Sequence, residues 1–362
     1  MCTSLLYVDA HNRPYVGRTL ELSIDLPYLV ARFPVHTALK STPEDYPALE
    51  WSSKYAFWAV TMPATVPQPG TAPTPLDLKV IEGVNTSGLS FSVQSYAQAG
   101  GPQTDLDPTK ATLSVIDLGA YLLSQFATVA EVKAALVDLP MVIEPVRVLG
   151  GLPMPFHYAV HDAQGQSLVI EFHHGQRTIY DNPVGVLTNA PQFSWHLTNL
   201  NNYTYLSNVD HSKAEFMGFK AEQPGAGAAK IGLPATDSSV DRFIRGVYYA
   251  HFAEKQEDPD QAVEMVAHIM NNFDRPRGIT IDPPELGSSH LQVEGQAMDR
   301  IPTEFTTWTS ISDLERRRFY LRSHAGMSYV YIDLLAPSAT GAFAARPLNQ
   351  LFTPPADVSA QF

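Results

Sequence analysis

The chain has 362 residues, of which 44% are hydrophobic and 17% charged, and its formal net charge is −13. This composition is typical of a globular protein with a large core and excludes a disordered chain. The acidic excess argues against nucleic acid as a partner, because phosphate binding requires a clustered basic face.

No stretch of the sequence has the roughly 18 consecutive apolar residues of a transmembrane helix, so no membrane partner is expected. Polar residues at positions 9 and 11–13 interrupt the apolar core that a signal peptide requires. The sequence as it stands therefore predicts a cytoplasmic protein, or a periplasmic one if a signal peptide once preceded Cys2.

An N-terminal β-hairpin is the first predicted element. The segment Thr3–Asp9 is apolar and rich in β-formers, positions 11–14 are typical of a turn, and Tyr15–Leu22 returns as a second strand. Further strands are predicted at Tyr55–Thr61, Leu89–Val93, Ser167–Phe172, Val184–Thr188, Phe305–Ile311, Arg318–Ser323 and Met327–Leu334.

Three helices are predicted. The first covers Leu118–Phe126, and Thr128 with Glu131 forms a capping box for a second that continues to about Val137. Asp260 is positioned to cap the third helix. Its apolar face consists of Val263, Val266, Ile269, Met270 and Phe273.

Three segments have the composition of surface loops. Ala64–Asp77 is rich in proline, Gln223–Ala229 is rich in glycine and alanine, and Asp282–Met298 is polar. None of them cleanly separates two apolar cores. We therefore expect a single domain that covers residues 2–362.

Cys2 is the only cysteine, so the chain can form neither an intramolecular disulfide nor a CxxC motif. A lone cysteine is usually a small buried hydrophobe, but a residue this small at position 2 permits removal of Met1. That removal exposes an α-amine beside the thiol. These groups titrate at about 7.7–8.0 and about 8.5 in peptides, so the amine can take the thiol proton and return it to a leaving amine. Position alone leaves a nucleophile and the mere start of a strand as equal alternatives.

Several short motifs occur together in a fixed order along the chain. They are Cys2-Thr3, Gly17 to Glu21 (GRTLE), Asp181 to Pro191, Gly232 to Pro234 (GLP) and Asp241 to Phe243 (DRF). In this combination the sequence resembles the choloylglycine hydrolase family, which contains bile salt hydrolases and penicillin V acylases. The resemblance extends from Cys2 to near Leu334.

The resemblance implies a fold class. It is α+β, a four-layer αββα N-terminal nucleophile hydrolase fold in which two antiparallel sheets lie between helical layers. The predicted hairpin and the mixture of strands and helices agree with it. Members of this family often form homotetramers, a state that this sequence neither supports nor excludes.

The resemblance also implies charged site residues. Arg18 matches a family arginine that stabilises the thiolate of Cys2, and Arg242 matches one that supports the charge network around it. Glu21 stands where the family typically has aspartate, and its extra methylene changes how it can reach the nucleophile. This departure favours penicillin V or an acyl lactone over a bile salt.

Two asparagines are the predicted oxyanion stabilisers. Asn189 lies at a strand end where the family places its oxyanion-hole asparagine, whose side-chain N–H stabilises the tetrahedral intermediate. The resemblance assigns the second donor to the backbone N–H of Asn85, in an Asn-x-x-Gly-Leu turn. The alternative for both residues is a purely structural role in turns.

Neither a metal nor a cofactor is expected. The sequence has no HExxH, GxSxG or Walker-type motif. His173 and His174 are adjacent, so on a strand they would face opposite sides. His157 and His161 are four apart, but the segment is predicted to be extended.

The predicted reaction is two-step hydrolysis of a linear amide with an apolar acyl group, through a thioester on Cys2. Conjugated bile salts, penicillin V and N-acyl homoserine lactones all fit as substrates. The acyl group is expected in an apolar pocket lined by loops, including positions 57–69. The alternatives are a related N-terminal cysteine acyltransferase and a weakened homologue that binds acyl amides without turnover.

Overall fold

The computed structural model describes residues 1–23, 26–64, 70–103, 106–146, 152–153, 156–225, 227–281, 303–352 and 359. The predicted loop at Asp282–Met298 lies outside these ranges, as does the part of the proline-rich loop at 65–69. None of the helices in the described ranges is both long enough and apolar enough to cross a lipid bilayer.

β-Strands dominate the structure. They are β1 (Cys2–Val8), β2 (Pro14–Leu22), β3 (Leu29–Phe33), β4 (Ala38–Lys40), β5 (Glu50–Ser52), β6 (Phe57–Pro63), β7 (Leu78–Asn85), β8 (Ser90–Ser95), β9 (Leu113–Ser114), β10 (Met141–Val142), β11 (Pro145–Val146), β12 (Leu152–Pro153), β13 (Phe156–His161), β14 (Ser167–His173), β15 (Gln176–Asp181), β16 (Val186–Leu187), β17 (Lys213–Phe216), β18 (Phe219–Glu222), β19 (Phe305–Asp313), β20 (Arg318–Ser323), β21 (Val330–Asp333) and β22 (Ala344–Pro347). The helices are α1 (Leu118–Gln125), α2 (Val129–Ala135), α3 (Phe193–Leu200), α4 (Ser239–Phe252) and α5 (Pro259–Met270).

Two large sheets contain most of these strands. Sheet I has the order β16-β1-β2-β19-β20-β21, and sheet II has the order β15-β14-β13-β8-β7-β6-β3-β22. All pairings between neighbouring strands within both sheets are antiparallel. The remaining strands form separate two-stranded sheets.

The sheets face one another, and helices cover their outer faces. Helices α4 and α5 pack on β1 and β2 of sheet I, whereas α1 packs on β7 and β8 of sheet II and α2 on β14. One apolar cluster extends from the space between the sheets to α1, and a second lies between sheet I and helices α3 to α5. The order of layers is therefore helix, sheet, sheet, helix.

The predicted hairpin is confirmed and sets the geometry of the N-terminus. Cys2 pairs with Leu20, and Ser4 pairs with Arg18, in the register between β1 and β2. Side chains alternate between the two faces of a strand, so these four residues share the face toward sheet II. Glu21, next to Leu20 in sequence, points instead toward the helices of sheet I.

A close approach of a helix to this hairpin explains the glycine of its GRTLE motif. A Cβ atom on Gly17 would lie 2.6 Å from Met270 Sδ and 2.8 Å from Val266 Cγ1. Both partners lie on α5, which therefore packs directly on the backbone of β2. The absence of a side chain at position 17 thus allows α5 to pack directly on β2, on the face opposite to the Arg18 side chain.

The other predicted elements agree with the structure in kind, and several of their ends differ. The strand predicted at Val184–Thr188 is shortened to β16, because Gly185 adopts a positive φ of 67° and ends the extended backbone. The third helix is capped by Asp258 rather than Asp260, since Asp258 Oδ1 accepts hydrogen bonds from two backbone N–H groups. The strand predicted at Tyr55–Thr61 is confirmed as β6 (Phe57–Pro63). Because β6 is buried throughout, positions 57–63 do not form the loop that the predicted pocket at 57–69 assumed.

Candidate active site

Cys2 begins strand β1, and three of its atoms are each held by a different side chain. Its backbone N–H donates to Asn189 Oδ1 at 3.0 Å, and its carbonyl accepts a hydrogen bond from Arg242 Nη1. Its sulfur lies 3.6 Å from Arg18 Nη2. The residue is 5% exposed. The structure therefore brings three of the predicted site residues, Arg18, Asn189 and Arg242, into contact with Cys2.

Arg18 is fully buried between the two sheets. Its Nη2 donates to the Val93 carbonyl at 2.5 Å as well as contacting the Cys2 sulfur. The guanidinium carbon lies 4.5 Å from the centre of the Trp308 ring, a cation–π contact. Its Nε lies 3.4 Å from Glu82 Oε2. A permanent positive charge is thus fixed beside the thiol.

Arg242 reaches the site from α4 and joins the strand end to Asn189. Besides the Cys2 carbonyl, its Nη1 donates to Thr3 Oγ1 at 2.8 Å, and its Nη2 donates to Asn189 Oδ1 at 2.7 Å. Burial lowers the pKa of Arg242, and the charge of Glu21 opposes this effect. Arg242 therefore acts as a rigid connection between helix, strand and asparagine.

The orientation of the Asn189 amide follows from its partners. Oδ1 accepts from two N–H donors, on Cys2 and Arg242, whereas Nδ2 donates to the Ser95 carbonyl at 2.8 Å. A flipped amide would direct N–H groups at donors and an oxygen at a carbonyl, so this network assigns the side chain. The N–H groups of Asn189 therefore lie on the side of strand β8.

Two buried histidines hold the backbone that carries Asn189, and the sequence analysis did not identify this role. His196 Nε2 lies 2.9 Å from the Asn189 carbonyl, and His157 Nε2 lies 3.1 Å from the Thr188 carbonyl. Glu171 Oε2 lies 3.0 Å from the other ring nitrogen of His157. Burial lowers the pKa of His196 to about 4, so it is neutral near pH 7. The asparagine is thus fixed through its main chain as well as its side chain.

Glu21 lies beside this group without a hydrogen bond to Cys2. Its carboxyl is fully buried on the helix-facing side of β2 and accepts from Thr306 Oγ1 at 3.1 Å. Burial raises the pKa of Glu21, and the charges of Arg242 and the amino terminus oppose that rise. Its contribution at the site is therefore a charge interaction with Arg242 through the helix-facing side of the sheet.

Met1 extends strand β1 by one residue. Its α-amine donates to the Glu21 carbonyl at 2.6 Å and lies 3.4 Å from Glu304 Oε1. Burial alone would raise the pKa of Glu304, but the amino terminus and Arg275 together lower it. With Met1 in place, the Cys2 nitrogen is a peptide nitrogen and has no basic lone pair.

The prediction that Asn85 supplies an oxyanion donor is corrected by the structure. Its backbone N–H donates to the Leu89 carbonyl at 3.0 Å within the β7–β8 turn. The site contacts β8 near its other end, at Val93 and Ser95. At about 3.3 Å per residue along β8, the turn at Ser90 lies about 10 Å from Val93 and about 16 Å from Ser95.

Asn85 instead stabilises a buried turn. Its Nδ2 donates to the carbonyls of Leu123 and Phe126, each at 2.8 Å. Its Oδ1 accepts from the backbone N–H groups of Ser87 and Leu89. The side chain thus joins the turn to the end of α1.

Replacing Asn85 distinguishes a structural role in the turn from a role in stabilising the oxyanion. We expect Asn85→Ala to lower the free energy of unfolding by about 3 kcal/mol, because two buried and two partly buried backbone groups lose their partner. The rate of the predicted amide hydrolysis by the folded variant should stay within twofold of that of the unchanged protein. Chemical denaturation and active-site-normalised kinetics measure the two quantities. A hundredfold loss of turnover with an unchanged unfolding curve would restore the oxyanion role.

In the part of the chain that the structure describes, no three side chains of His, Cys, Asp or Glu lie close enough to bind a metal ion together. His157 and His161 share one face of β13, but Glu171 and the Thr188 carbonyl occupy both nitrogens of His157. This histidine is therefore committed to the protein's own hydrogen bonds.

Glu82 is a further charged residue near the site that the sequence analysis missed. It lies on β7, is fully buried, and accepts a hydrogen bond from Ser92 Oγ at 2.5 Å in addition to facing Arg18. The sequence did carry a signal, since a glutamate inside the apolar run at 78–84 requires a cationic or hydrogen-bonding partner.

Known proteins resemble this chain over most of its length. The profile of the linear amide C–N hydrolases, choloylglycine hydrolase family, matches residues 2–336. A bile salt hydrolase/transferase of Lactiplantibacillus plantarum is 28% identical over 330 residues, covering 90% of this chain and 89% of that protein. A penicillin V acylase of Pectobacterium atrosepticum is 26% identical over 354 residues, covering 92% of this chain and 81% of the relative.

The fold is shared with a solved structure. The crystal structure of a mutant conjugated bile acid hydrolase from Clostridium perfringens has a TM-score of 0.78 to this chain, at 21% identity. The match covers 98% of this chain and 99% of that one. The predicted αββα fold of the N-terminal nucleophile hydrolases, with two antiparallel sheets between helical layers, is confirmed.

Proposed function

Because the chain belongs to the choloylglycine hydrolase family of linear amide C–N hydrolases, we propose that it hydrolyses a linear amide with Cys2 as N-terminal nucleophile. One observation carries this proposal. The nitrogen, sulfur and carbonyl oxygen of Cys2 are held separately by Asn189, Arg18 and Arg242. A residue that merely begins a strand has no need of three such contacts from distant parts of the chain.

The first half of the reaction forms a thioester. Once Met1 is removed, the Cys2 nitrogen is an α-amine, and it accepts the thiol proton as the sulfur attacks the amide carbon. The Asn189 amide carries two hydrogens, so one remains for the oxyanion after the bond to Ser95. The α-ammonium then gives its proton to the leaving nitrogen as the C–N bond breaks.

The second half of the reaction regenerates the enzyme. Water attacks the thioester carbon and gives a proton to the α-amine, and the oxyanion again forms beside Asn189. Collapse of this intermediate breaks the C–S bond and releases the carboxylic acid, and the thiolate regains its proton from the α-ammonium. Arg18 stabilises the thiolate as nucleophile in the first half and as leaving group in the second.

The remaining charged residues support this arrangement. Arg242 keeps Cys2 and Asn189 in fixed relation, and Glu21 balances the buried charge of Arg242 on the helix-facing side of β2. We assign Glu21 a positioning role rather than contact with substrate, because its carboxyl bonds to Thr306.

An apolar acyl group is the proposed substrate feature. Cys2 belongs to the apolar cluster between the sheets, which also contains Leu20, Tyr28 and Trp308. Conjugated bile salts, penicillin V and N-acyl homoserine lactones all join an apolar acyl group to a linear amide. The two classes of relative, bile salt hydrolase and penicillin V acylase, support the first two of these candidates.

Acyl transfer is a second candidate activity. The relative from L. plantarum is a hydrolase/transferase, and a thioester on Cys2 reacts with an amine as readily in principle as with water. The same residues serve both outcomes, so the difference is which nucleophile reaches the thioester.

Release of amine from glycocholate, penicillin V and a long-chain acyl homoserine lactone tests the proposal, with Cys2→Ala assayed in parallel. We expect release from at least one substrate, a mass adduct of the acyl group on the wild-type chain, and neither in Cys2→Ala. Adding glycine or taurine would produce a new conjugate if transfer occurs. Release that survives in Cys2→Ala would contradict the proposed nucleophile.

A further inference from the structure

Glu82 and Arg18 form an ion pair in the centre of the protein. Their side chains are 1% and 0% exposed, and Glu82 Oε2 lies 3.4 Å from Arg18 Nε. The two residues come from different sheets, since Glu82 is on β7 and Arg18 on β2. The pair therefore links sheet I to sheet II next to Cys2.

The other end of the same guanidinium contacts the sulfur. Arg18 Nη2 lies 3.6 Å from Cys2 Sγ and also donates to the Val93 carbonyl. Among the described residues, neither Nε nor Nη1 of Arg18 has a hydrogen-bond partner, so the contact of Nε with Glu82 is an ion pair without a hydrogen bond. The Arg18 guanidinium thus interacts with two acidic groups. Its Nε forms an ion pair with the Glu82 carboxylate, and its Nη2 contacts the Cys2 sulfur.

We propose that Glu82 is a positioning residue for catalysis: its carboxylate holds the Arg18 guanidinium against Cys2 and competes with the Cys2 thiolate for that positive charge. This inference rests on the proposed role of Cys2 as nucleophile and adds to it a means of tuning the thiol. A negative charge on Glu82 makes a second negative charge on the sulfur less favourable, because both interact with one cation in a poorly solvated space.

The surroundings of Glu82 leave Arg18 as its source of positive charge. Ser92 from β8 and Ser310 from β19 bring hydroxyl groups to the carboxyl, and Val60, its neighbour on β6, is apolar. Burial raises the pKa of Glu82 to about 7, although the charge of Arg18 opposes this rise. The carboxyl therefore changes its charge in the same pH range in which the thiol and α-amine act.

The pH dependence of Cys2 alkylation by iodoacetamide tests the proposal in the full-length chain without any substrate. In Glu82→Gln, which keeps the shape and an acceptor for Ser92, we expect the alkylation midpoint to fall by about 1 pH unit. In Glu82→Asp, which restores the charge, the midpoint should return toward the wild-type value. The acid limb of kcat/KM should move with the alkylation midpoint.

A matched control removes a different buried ion pair. Asp117 lies 2.5 Å from Lys79 Nζ, and Lys79 is on the same strand as Glu82. Asp117→Asn is expected to destabilise the fold without moving the Cys2 midpoint. An unchanged midpoint in Glu82→Gln, or an equal shift in Asp117→Asn, would overturn the proposal.

A second measurement needs no change at position 82. Carbon-13 NMR of glutamate carboxyls should show one buried carboxyl that titrates at lower pH in Cys2→Ala than in the wild type, because no thiolate then opposes its ionisation. Identical titration of every glutamate in the two proteins would overturn the inference. Neither the alkylation of the thiol nor the titration of the carboxyl needs a substrate, so both tests stand even if none of the tested amides is hydrolysed.

Discussion

A leader peptide that keeps Cys2 in a peptide bond is expected to reduce amide hydrolysis by about 10²- to 10⁴-fold, the usual contribution of a general base. The reason is that a peptide nitrogen at Cys2 is not basic. In a chain that retains Met1, the Cys2 N–H donates to Asn189 Oδ1 and offers no lone pair for the thiol proton. A cleavable leader whose removal leaves Cys2 as the first residue provides both forms from one preparation, and amine release is measured before and after cleavage.

The same preparation contains its control. Met1 occupies the strand position next to Cys2 and bonds to the Glu21 carbonyl, so an uncleaved leader is expected to leave the β1–β2 hairpin folded. Circular dichroism and thermal unfolding should therefore agree in the two forms. Equal turnover before and after cleavage would show that a group other than the α-amine of Cys2 accepts the proton.

Asn189→Asp is expected to lower kcat by about 10²- to 10³-fold with little change in KM, because a donor to the oxyanion is lost. The aspartate keeps an acceptor for Cys2 and Arg242, but it replaces the Nδ2 donor by an oxygen that faces the Ser95 carbonyl. Steady-state kinetics on whichever amide is hydrolysed gives both constants.

Two further variants distinguish the effect of losing the N–H donor from the effect of adding a negative charge. Asn189→Ala removes the donor without adding a negative charge near the thiol, and it should show a similar loss of kcat. Asn85→Ala is the matched asparagine outside the site and should leave kcat unchanged. A rise in KM with unchanged kcat in both Asn189 variants would assign this residue to substrate binding instead.

The main features of the fold were readable from local patterns. Alternating apolar residues on both sides of an HNRP turn predicted the hairpin of β1 and β2, and the Thr128 capping box predicted α2. The topology required the resemblance to a known family, because strand order depends on pairings between segments far apart in sequence. The pairing of β2 with β19, about 290 residues later, is such a case.

Local patterns with two physical explanations left the direction of a group open. Asn85 lies in a turn whose Asn-x-x-Gly-Leu sequence is equally suited to capping a hairpin, and its backbone N–H is used there. Glu21 was expected beside the nucleophile, but alternation along β2 turns its side chain toward α4. In both cases the direction of a group, rather than its identity, decided the outcome.

The position of the single cysteine next to Met1, and the order of Arg18, Asn189 and Arg242 typical of the family, are visible in the sequence alone. The atoms that these residues contact, and the sharing of Arg18 between Glu82 and the Cys2 sulfur, follow from the packing of the fold. A buried charge pairs with the opposite charge that the packing of the two sheets brings next to it. Packing two sheets face to face brings β7 over β2, and no spacing along the chain records that contact.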